Sequence, residues 1–235
     1  TTVKPSLYSA EPFRCMKKVM GPEHPNTATS LNNLAELYRN IGDYGKAEPL
    51  YRRALQIREK ALGPEHPLTA TSLNNLAALY EDIGDYGKAE PLYRRALQIK
   101  EKALGPEHSD TATSLNNLGA LYKHIGDYGK AEPLLRRALQ MYEKVMGPEH
   151  PSTVAILRNL GAVNLEQGKV EDAMYIFDKT DTSHGLGKCY LARMEYEKAR
   201  EAFRLDHQQS TKGGQKNIGS SHISVKGTQL SECPE

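Results

Sequence analysis

Apolar residues recur at helical spacing in two stretches of residues 21–62. Residues spaced i, i+3, i+4 and i+7 lie on one side of an α-helix, so each stretch predicts an amphipathic helix. The first stripe consists of Leu31, Leu34, Ala35 and Tyr38. The second stripe consists of Ala47, Leu50, Tyr51, Ala54 and Leu55. We predict a first helix, helix A, over about 27–41 and a second, helix B, over about 44–61.

Capping and turn-forming residues mark the ends of both helices. Asn26 or Thr27 can cap the start of helix A, and Gly42 suits the residue that closes it. Asp43 can cap helix B, and Gly63 with the proline after it stops that helix. The two helices therefore form a hairpin with a short connection.

One proline departs from the helical pattern. Pro49 lies six residues after the predicted cap of helix B, where it has no N–H to donate to the carbonyl four residues earlier. Pro91 and Pro133 occupy the same position in the later copies of the pattern. We predict a slight bend or a tight first turn in each helix B.

The hairpin repeats every 42 residues. The tetrapeptide Gly-Pro-Glu-His begins at Gly21, Gly63, Gly105 and Gly147. Units 21–62 and 63–104 differ at five positions, namely Asn26/Leu68, Glu36/Ala78, Arg39/Glu81, Asn40/Asp82 and Arg58/Lys100. A single hairpin cannot bury its own apolar stripes, so the units must stack into a solenoid.

The repeats divide the chain into four parts. We predict a partial helix-B-like segment over 1–20, four tandem units over 21–179, a degenerate hairpin over 180–206 and a disordered tail over 207–235. Helix B of the fourth unit is shortened to about 170–179. The chain has no initiator Met, which we interpret as the sign of a fragment or a processed product.

The order of the repeated residues resembles the tetratricopeptide consensus. The matching residues are Leu34, Ala35, Tyr38, Gly42, Asp43, Tyr44, Ala47, Tyr51, Ala54 and Leu55. The 42-residue length resembles the variety found in kinesin light chains and nephrocystin-type proteins. The resemblance implies an all-α fold, a right-handed superhelical solenoid of about four to five helical hairpins. It also implies that one face of the A helices lines a concave groove.

Composition and charge argue against several classes of function. The net charge is +2, with 31 basic and 29 acidic residues, so no large field would attract nucleic acid or an anionic membrane. No apolar run reaches the roughly 18 residues needed to insert into a membrane. The cysteines Cys15, Cys189 and Cys233 are odd in number, which favours reduced thiols in the cytoplasm. Cys189 borders an apolar stripe and is predicted to be a small core residue.

The sequence shows no convincing catalytic or metal site. The repeated histidines are His24, His66, His108 and His150. Packed helices lie roughly 8–10 Å apart, whereas zinc needs nitrogen ligands at about 2 Å, so we interpret these histidines as loop or helix-end contacts. The segment 185–188, Gly-Leu-Gly-Lys, lacks the spacing of a phosphate-binding loop. We predict no cofactor and no enzyme activity.

The polar face of helix A is the candidate binding surface. Its paired asparagines carry both donors and an acceptor, which can bind a peptide backbone of any sequence. The differences between units concentrate on this face, although drift at exposed positions would produce the same pattern. The predicted groove residues are Asn32, Asn33, Glu36, Arg39, Asn40, Asn74, Asn75, Glu81, Asp82, Asn116, Asn117, Lys123, His124 and Asn159. In this hypothesis the asparagines hold the backbone and the charged positions select side chains.

Two functions remain open at this point. The first is a protein–protein interaction scaffold or adaptor that binds extended or short helical peptide segments of other proteins. The second is a structural or regulatory repeat arm of a larger multidomain protein whose catalytic or nucleotide-binding domain is absent here. The kinesin-light-chain resemblance implies a cargo adaptor, and the nephrocystin resemblance implies a ciliary or signalling scaffold. The basic outer side of helix B is the alternative binding surface.

Overall fold

The computed structural model describes residues 23–212, without the side chains of 196, 197 and 207–212. The predicted helix-B-like segment 1–20, Cys15 and Cys233 lie outside these residues. All regular secondary structure in the described part is α-helical. The helices are α1 Pro25–Asn40, α2 Tyr44–Leu62, α3 Pro67–Ile83, α4 Tyr86–Leu104, α5 Ser109–Ile125, α6 Tyr128–Met146, α7 Pro151–Glu166, α8 Val170–Lys179, α9 Ser183–Ala192 and α10 Tyr196–Lys212. The odd-numbered helices are the A helices and the even-numbered ones are the B helices.

The repeated histidines cap the A helices. His24 Nδ1 accepts a hydrogen bond from the backbone N–H of Asn26 at 3.1 Å, and the same contact recurs at His66, His108 and His150. Helix α1 therefore begins at Pro25, two residues earlier than predicted, because a proline in the first helical position has no N–H to satisfy. The prediction that Asn26 or Thr27 caps the helix is wrong, and the interpretation of the histidines as helix-end contacts is confirmed.

The turn between the two helices of a unit is closed as predicted. Gly42 has φ +80°, a left-handed conformation that costs glycine little. It allows the N–H of Asp43 to reach Tyr38 O at 2.8 Å and satisfy the end of α1. The Asp43 carboxylate then accepts from the N–H of Lys46 at 3.3 Å and caps α2. In the fourth unit Lys169 stands at this position, and helix α8 has no side-chain cap.

Small residues allow the two helices of each unit to pack closely. Ala35 and Ala47 are fully buried in the first unit, together with Tyr51. In the third unit Gly119 replaces the first alanine, and an added Cβ there would lie 2.8 Å from Leu135. Leu135 therefore occupies the space that an alanine side chain would need at position 119.

The proline inside each B helix does not interrupt it. Helix α2 runs without a break from Tyr44 to Leu62 around Pro49. Gly45, four residues earlier, supplies the carbonyl that a proline leaves without a donor, and it is exposed. Water can therefore satisfy that carbonyl at the surface.

The A helices line the inside of the solenoid. Adjacent A helices contact each other directly, whereas adjacent B helices make no comparable contact in the described part and are separated by the A helix between them. A stack of hairpins that is closer on one side curves toward that side. The A helices therefore form its inner face, which agrees with the concave groove that the resemblance implies.

The basic side chains of the outer face are largely paired. Arg95 forms an ion pair with Glu59 at 2.9 Å, and Arg137 forms the same pair with Glu101 at 2.5 Å. Glu132 accepts from Lys169 and Arg136, and these contacts lower its pKa to about 2. Since each of these cations already has a carboxylate, the outer side of helix B is a weaker candidate for binding a charged partner.

The last hairpin departs from the repeat in its turns and its length. Met194 takes the place of the turn glycine with φ +60°, and Gly187 packs so closely on Phe203 that an added Cβ would lie 2.6 Å from its ring. Helix α10 continues to Lys212. The tail boundary predicted at 207 is therefore too early by six residues, because Asp206 is followed by further helix rather than a turn. The segment 213–235 lies outside the described residues.

The tyrosines at the end of the A-helix stripe predict a difference in stability between units. Tyr80 is buried at 3% exposure and donates to Glu48 Oε1 at 2.7 Å, whereas Tyr38 is only partly buried. Tyr80→Ala is expected to cost about 3–5 kcal/mol, and Tyr38→Ala clearly less. Urea denaturation of both variants measures this difference, and equal losses would contradict the assigned packing.

Candidate functional site

The fourteen predicted groove residues all lie on the A helices, and the structure divides them into three groups. The first group consists of asparagines that join neighbouring units. The second consists of charged residues paired across unit boundaries. The third consists of side chains that remain open toward the groove.

The first asparagine of each pair lies between units rather than in the groove. Asn32 is 4% exposed and donates to Ser72 Oγ of the next unit at 3.2 Å. Asn74 is 6% exposed and donates to Ser114 Oγ at 3.0 Å. Their amide oxygens have no partner within the described residues. Asn32 and Asn74 therefore join neighbouring units. The residue pattern of a single helix could not show this, because both contacts are made with the next unit.

The second asparagine of each pair remains available. Asn33 is exposed, and Asn75 and Asn117 are half-buried. In the described part of the chain their side-chain amides form no hydrogen bond. Each amide can therefore offer two N–H donors and a carbonyl acceptor at successive units along the groove.

Two charged residues link the first unit to the second. Arg39 binds Asp82 through two contacts, Nε to Oδ2 at 2.5 Å and Nη2 to Oδ1 at 3.2 Å. The hydroxyl of Tyr51 lies against Arg39, and burial raises the pKa of Tyr51 to about 12. The two-point geometry fixes the guanidinium along the groove floor.

A second pair of side chains links the second unit to the third. His124 Nδ1 lies 2.7 Å from Glu81 Oε1, while Tyr93 donates to Glu81 Oε2 at 2.8 Å. Burial is the main cause that raises the pKa of Tyr93, followed by the nearby charge of Glu81. Glu81 is therefore a well-anchored carboxylate rather than a free side chain of the groove. Asn40 and Glu36 remain exposed in the first unit.

The third and fourth units are joined by a different set of contacts. Lys123 donates to Asn159 Oδ1 at 2.7 Å, and Asn159 donates to Asn116 Oδ1 at 3.4 Å. Lys123 has no carboxylate partner in the described residues, and burial lowers its pKa. The nearby charge of Glu81 opposes this shift of the Lys123 pKa, whereas Lys188 adds to it, so two cations lie close together at this end of the groove.

A cavity of about 190 Å³ continues the groove between α7 and α9. Phe177 and Gly185 form part of its floor, and its rim includes Arg158 and Lys188. Gly185 packs directly against the Phe177 ring, because an added Cβ would lie 2.5 Å from it. Arg158 donates to Thr180 O at 3.2 Å. This cavity can accept a small apolar side chain beneath a rim on which Arg158 and Lys188 lie beside Glu166.

The contribution of Lys188 was missed from the sequence. It lies on α9 in the degenerate hairpin, whose irregular spacing conceals which face continues the A-helix row. Gly187 was the available signal, because it takes the place of the small residue Ala35 in the repeat and packs against Phe203. Lys188 then takes the place of Glu36 and is exposed.

A larger cavity, of about 400 Å³, lies on the outer side between α4, α5 and α6. Leu97, Leu118 and Leu134 line it, with Arg94 and Lys130 at its edge. Arg94 is bound to Glu90 at 2.9 Å and Lys130 to Asp127 at 2.6 Å. Both cations are therefore already neutralised.

The described residues form neither a metal-ligand cluster nor a membrane-spanning helix. No cluster of three potential metal ligands occurs among them. None of the helices in residues 23–212 is both long enough and apolar enough to cross a membrane. Cys189 is fully buried among Ala173 and Phe177, as predicted for a core residue.

Known proteins share this repeat architecture. The sequence profile of the tetratricopeptide repeat family matches residues 13–60, 27–102, 84–144 and 110–180. No curated protein sequence matches the chain.

Solved structures show the same solenoid. One is a Podosopora anserina protein assigned as a kinesin light chain with nearly identical TPR-like repeats, with a TM-score of 0.71 and 25% identity over 81% of this chain and 97% of that one. BtubC (BKLC) from P. vanneervenii has a TM-score of 0.72 and 24% identity over 97% and 95%. The apo form of RapI has a TM-score of 0.65 and 19% identity over 85% and 76%. At these identities the last two show the fold alone.

The two asparagines of one pair predict separate effects on stability. Asn74→Ala removes the hydrogen bond to Ser114 and is expected to cost about 0.5–1.5 kcal/mol of unfolding free energy. Asn75→Ala removes no bond within the described part and is expected to cost less than about 0.5 kcal/mol. Denaturation curves of the two variants test this, and the reverse order would place Asn75 between the units instead.

Proposed function

Because the chain belongs to the tetratricopeptide repeat family, whose solenoids are generally non-catalytic scaffolds for protein–protein interaction, we propose that its inner groove binds a peptide segment of a partner protein. The open asparagines Asn33, Asn75 and Asn117 would hold the peptide backbone. This row of unbonded amides, one in each of the first three units, is the observation that carries the proposal.

The spacing of the asparagines favours an extended peptide. Neighbouring packed helices lie roughly 8–10 Å apart, and an extended chain rises about 3.3 Å per residue. One asparagine would therefore meet the peptide about every third residue. From Asn33 to Lys188 the groove crosses five A helices, so about ten to twelve peptide residues would fill it.

The end of the groove favours acidic side chains in the partner. Lys123, Arg158 and Lys188 have no ion pair with a carboxylate in the described residues, and burial already disfavours the charge on Lys123. A carboxylate of the partner would supply the missing opposite charge in a partly desolvated place, where such a contact is strong. Selection of side chains would thus depend more on these three residues than on the paired Arg39 and Glu81.

An adaptor role follows from the same proposal. The chain is similar to a protein assigned as a kinesin light chain, and we infer that it connects a partner carrying such a peptide to another component. The nephrocystin-type resemblance and a cytoplasmic location stay predictions.

Binding titrations test the groove directly. The probes are two fluorescent pools of randomised peptides about twelve residues long, one ending in glutamates and one in lysines. Asn75→Ala combined with Asn117→Ala is expected to weaken both pools about tenfold, since each lost hydrogen bond contributes about 0.5–1.5 kcal/mol. Lys188→Glu is expected to weaken only the glutamate pool.

The control is Lys102→Glu, which reverses one charge on the outer face, where Lys102 pairs with Glu65. It is expected to bind both pools like the parent protein. If the asparagine and Lys188 variants also bind like the parent, the groove is not the binding site. If only the control loses binding, the outer face is the binding surface.

A further inference from the structure

Because the units are nearly identical, many contacts between neighbours do not distinguish the correct neighbour from another unit. Asn32 contacts Ser72 in the same way that Asn74 contacts Ser114. The bond from Tyr80 to Glu48 is likewise repeated one unit later. If unit 1 stacked directly on unit 3, these contacts could all form again. They therefore do not specify which unit follows which.

The contacts that differ between units lie at two adjacent positions near the end of each A helix. The residues at these positions are Arg39 and Asn40, Glu81 and Asp82, Lys123 and His124, and Leu165 and Glu166. At the first two boundaries the first residue of one unit reaches the second residue of the next, whereas at the third boundary Lys123 binds Asn159. Arg39 binds Asp82 across the first boundary, and Glu81 binds His124 across the second.

The sign of the charge alternates from boundary to boundary. The first residue is positive at Arg39 and negative at Glu81, and each faces a complementary group. If one unit were skipped, Arg39 would face His124 and lose its carboxylate. Glu81 would face Glu166, a second carboxylate. If a unit were skipped at either boundary, an attractive contact would therefore be replaced by an unpaired or a repulsive one.

We infer that these diagonal pairs specify the order of stacking among the near-identical units and act against the skipping of a unit during folding. Repeat arrays can nucleate at any unit, and misassembly is a characteristic failure of repeat proteins. The pairs act through rejection of the wrong neighbour as much as through attraction of the right one. Their buried anchors support this role, because Tyr93 fixes Glu81 in position.

A double substitution separates this role from an ordinary ion pair. Arg39→Glu with Asp82→His gives the first boundary the Glu–His pair that the chain already forms between Glu81 and His124. The first two boundaries keep a matched pair and the third keeps its contact between Lys123 and Asn159, but unit 1 now also matches unit 3. The melting temperature is expected to stay within about 2–4 °C of the parent. Refolding from denaturant is expected to show a several-fold larger slow phase, as chains with a skipped unit rearrange.

The control is Arg39→Lys with Asp82→Glu, which keeps the pair and still mismatches unit 3. It is expected to match the parent in both melting and refolding. The inference is overturned if the double-substituted and control proteins refold with equal slow phases. It is also overturned if the Glu–His variant loses more than about 4 °C in melting temperature, because the pair would then not be interchangeable between boundaries.

Discussion

The close approach of the two helices within each unit is the constraint on which the rest of the structure depends. Ala35 and Ala47 are small and fully buried at this crossing, and no larger side chain could occupy both positions at the same helix separation. The later units keep the separation by other means, such as Gly161 against Phe177, where an added Cβ would lie 2.9 Å from the ring. Because every hairpin has a similar shape, successive hairpins can stack in the same way and leave a continuous inner face.

Stacking also decides which polar side chains remain available for binding. The first asparagine of each pair enters the boundary between units, and the second stays on the inner face, although the two are adjacent in sequence. A helix turns by about 100° per residue, so one step is enough to separate a side chain between units from one in the groove. The same rotation separates the paired charge of Arg39 from the exposed amide of Asn40.

The few residues that differ between near-identical units lie where they can contact both the groove and the neighbouring unit. Charges that face the groove also face the neighbouring unit, and the structure pairs Arg39 and Glu81 with neighbours. Further along, Lys123 is left without a carboxylate, next to the cavity rimmed by Lys188. The proposed stacking order and the proposed peptide selectivity therefore rely on different parts of the same row.

The sequence by itself determined the repeat, the two helices of each unit and their turns, because helical periodicity, glycine turns and capping residues act over a few residues. It also identified the inner face, although its direction came from the resemblance. It could not assign the cap to His24 rather than Asn26, since both residues can accept the same kind of hydrogen bond. Only the tertiary structure decided that Asn32 and Asn74 are buried, that Arg39 and Glu81 are paired, and that Lys188 reaches the groove. Those contacts join residues about one unit apart in sequence, and their geometry exists only when the hairpins are stacked.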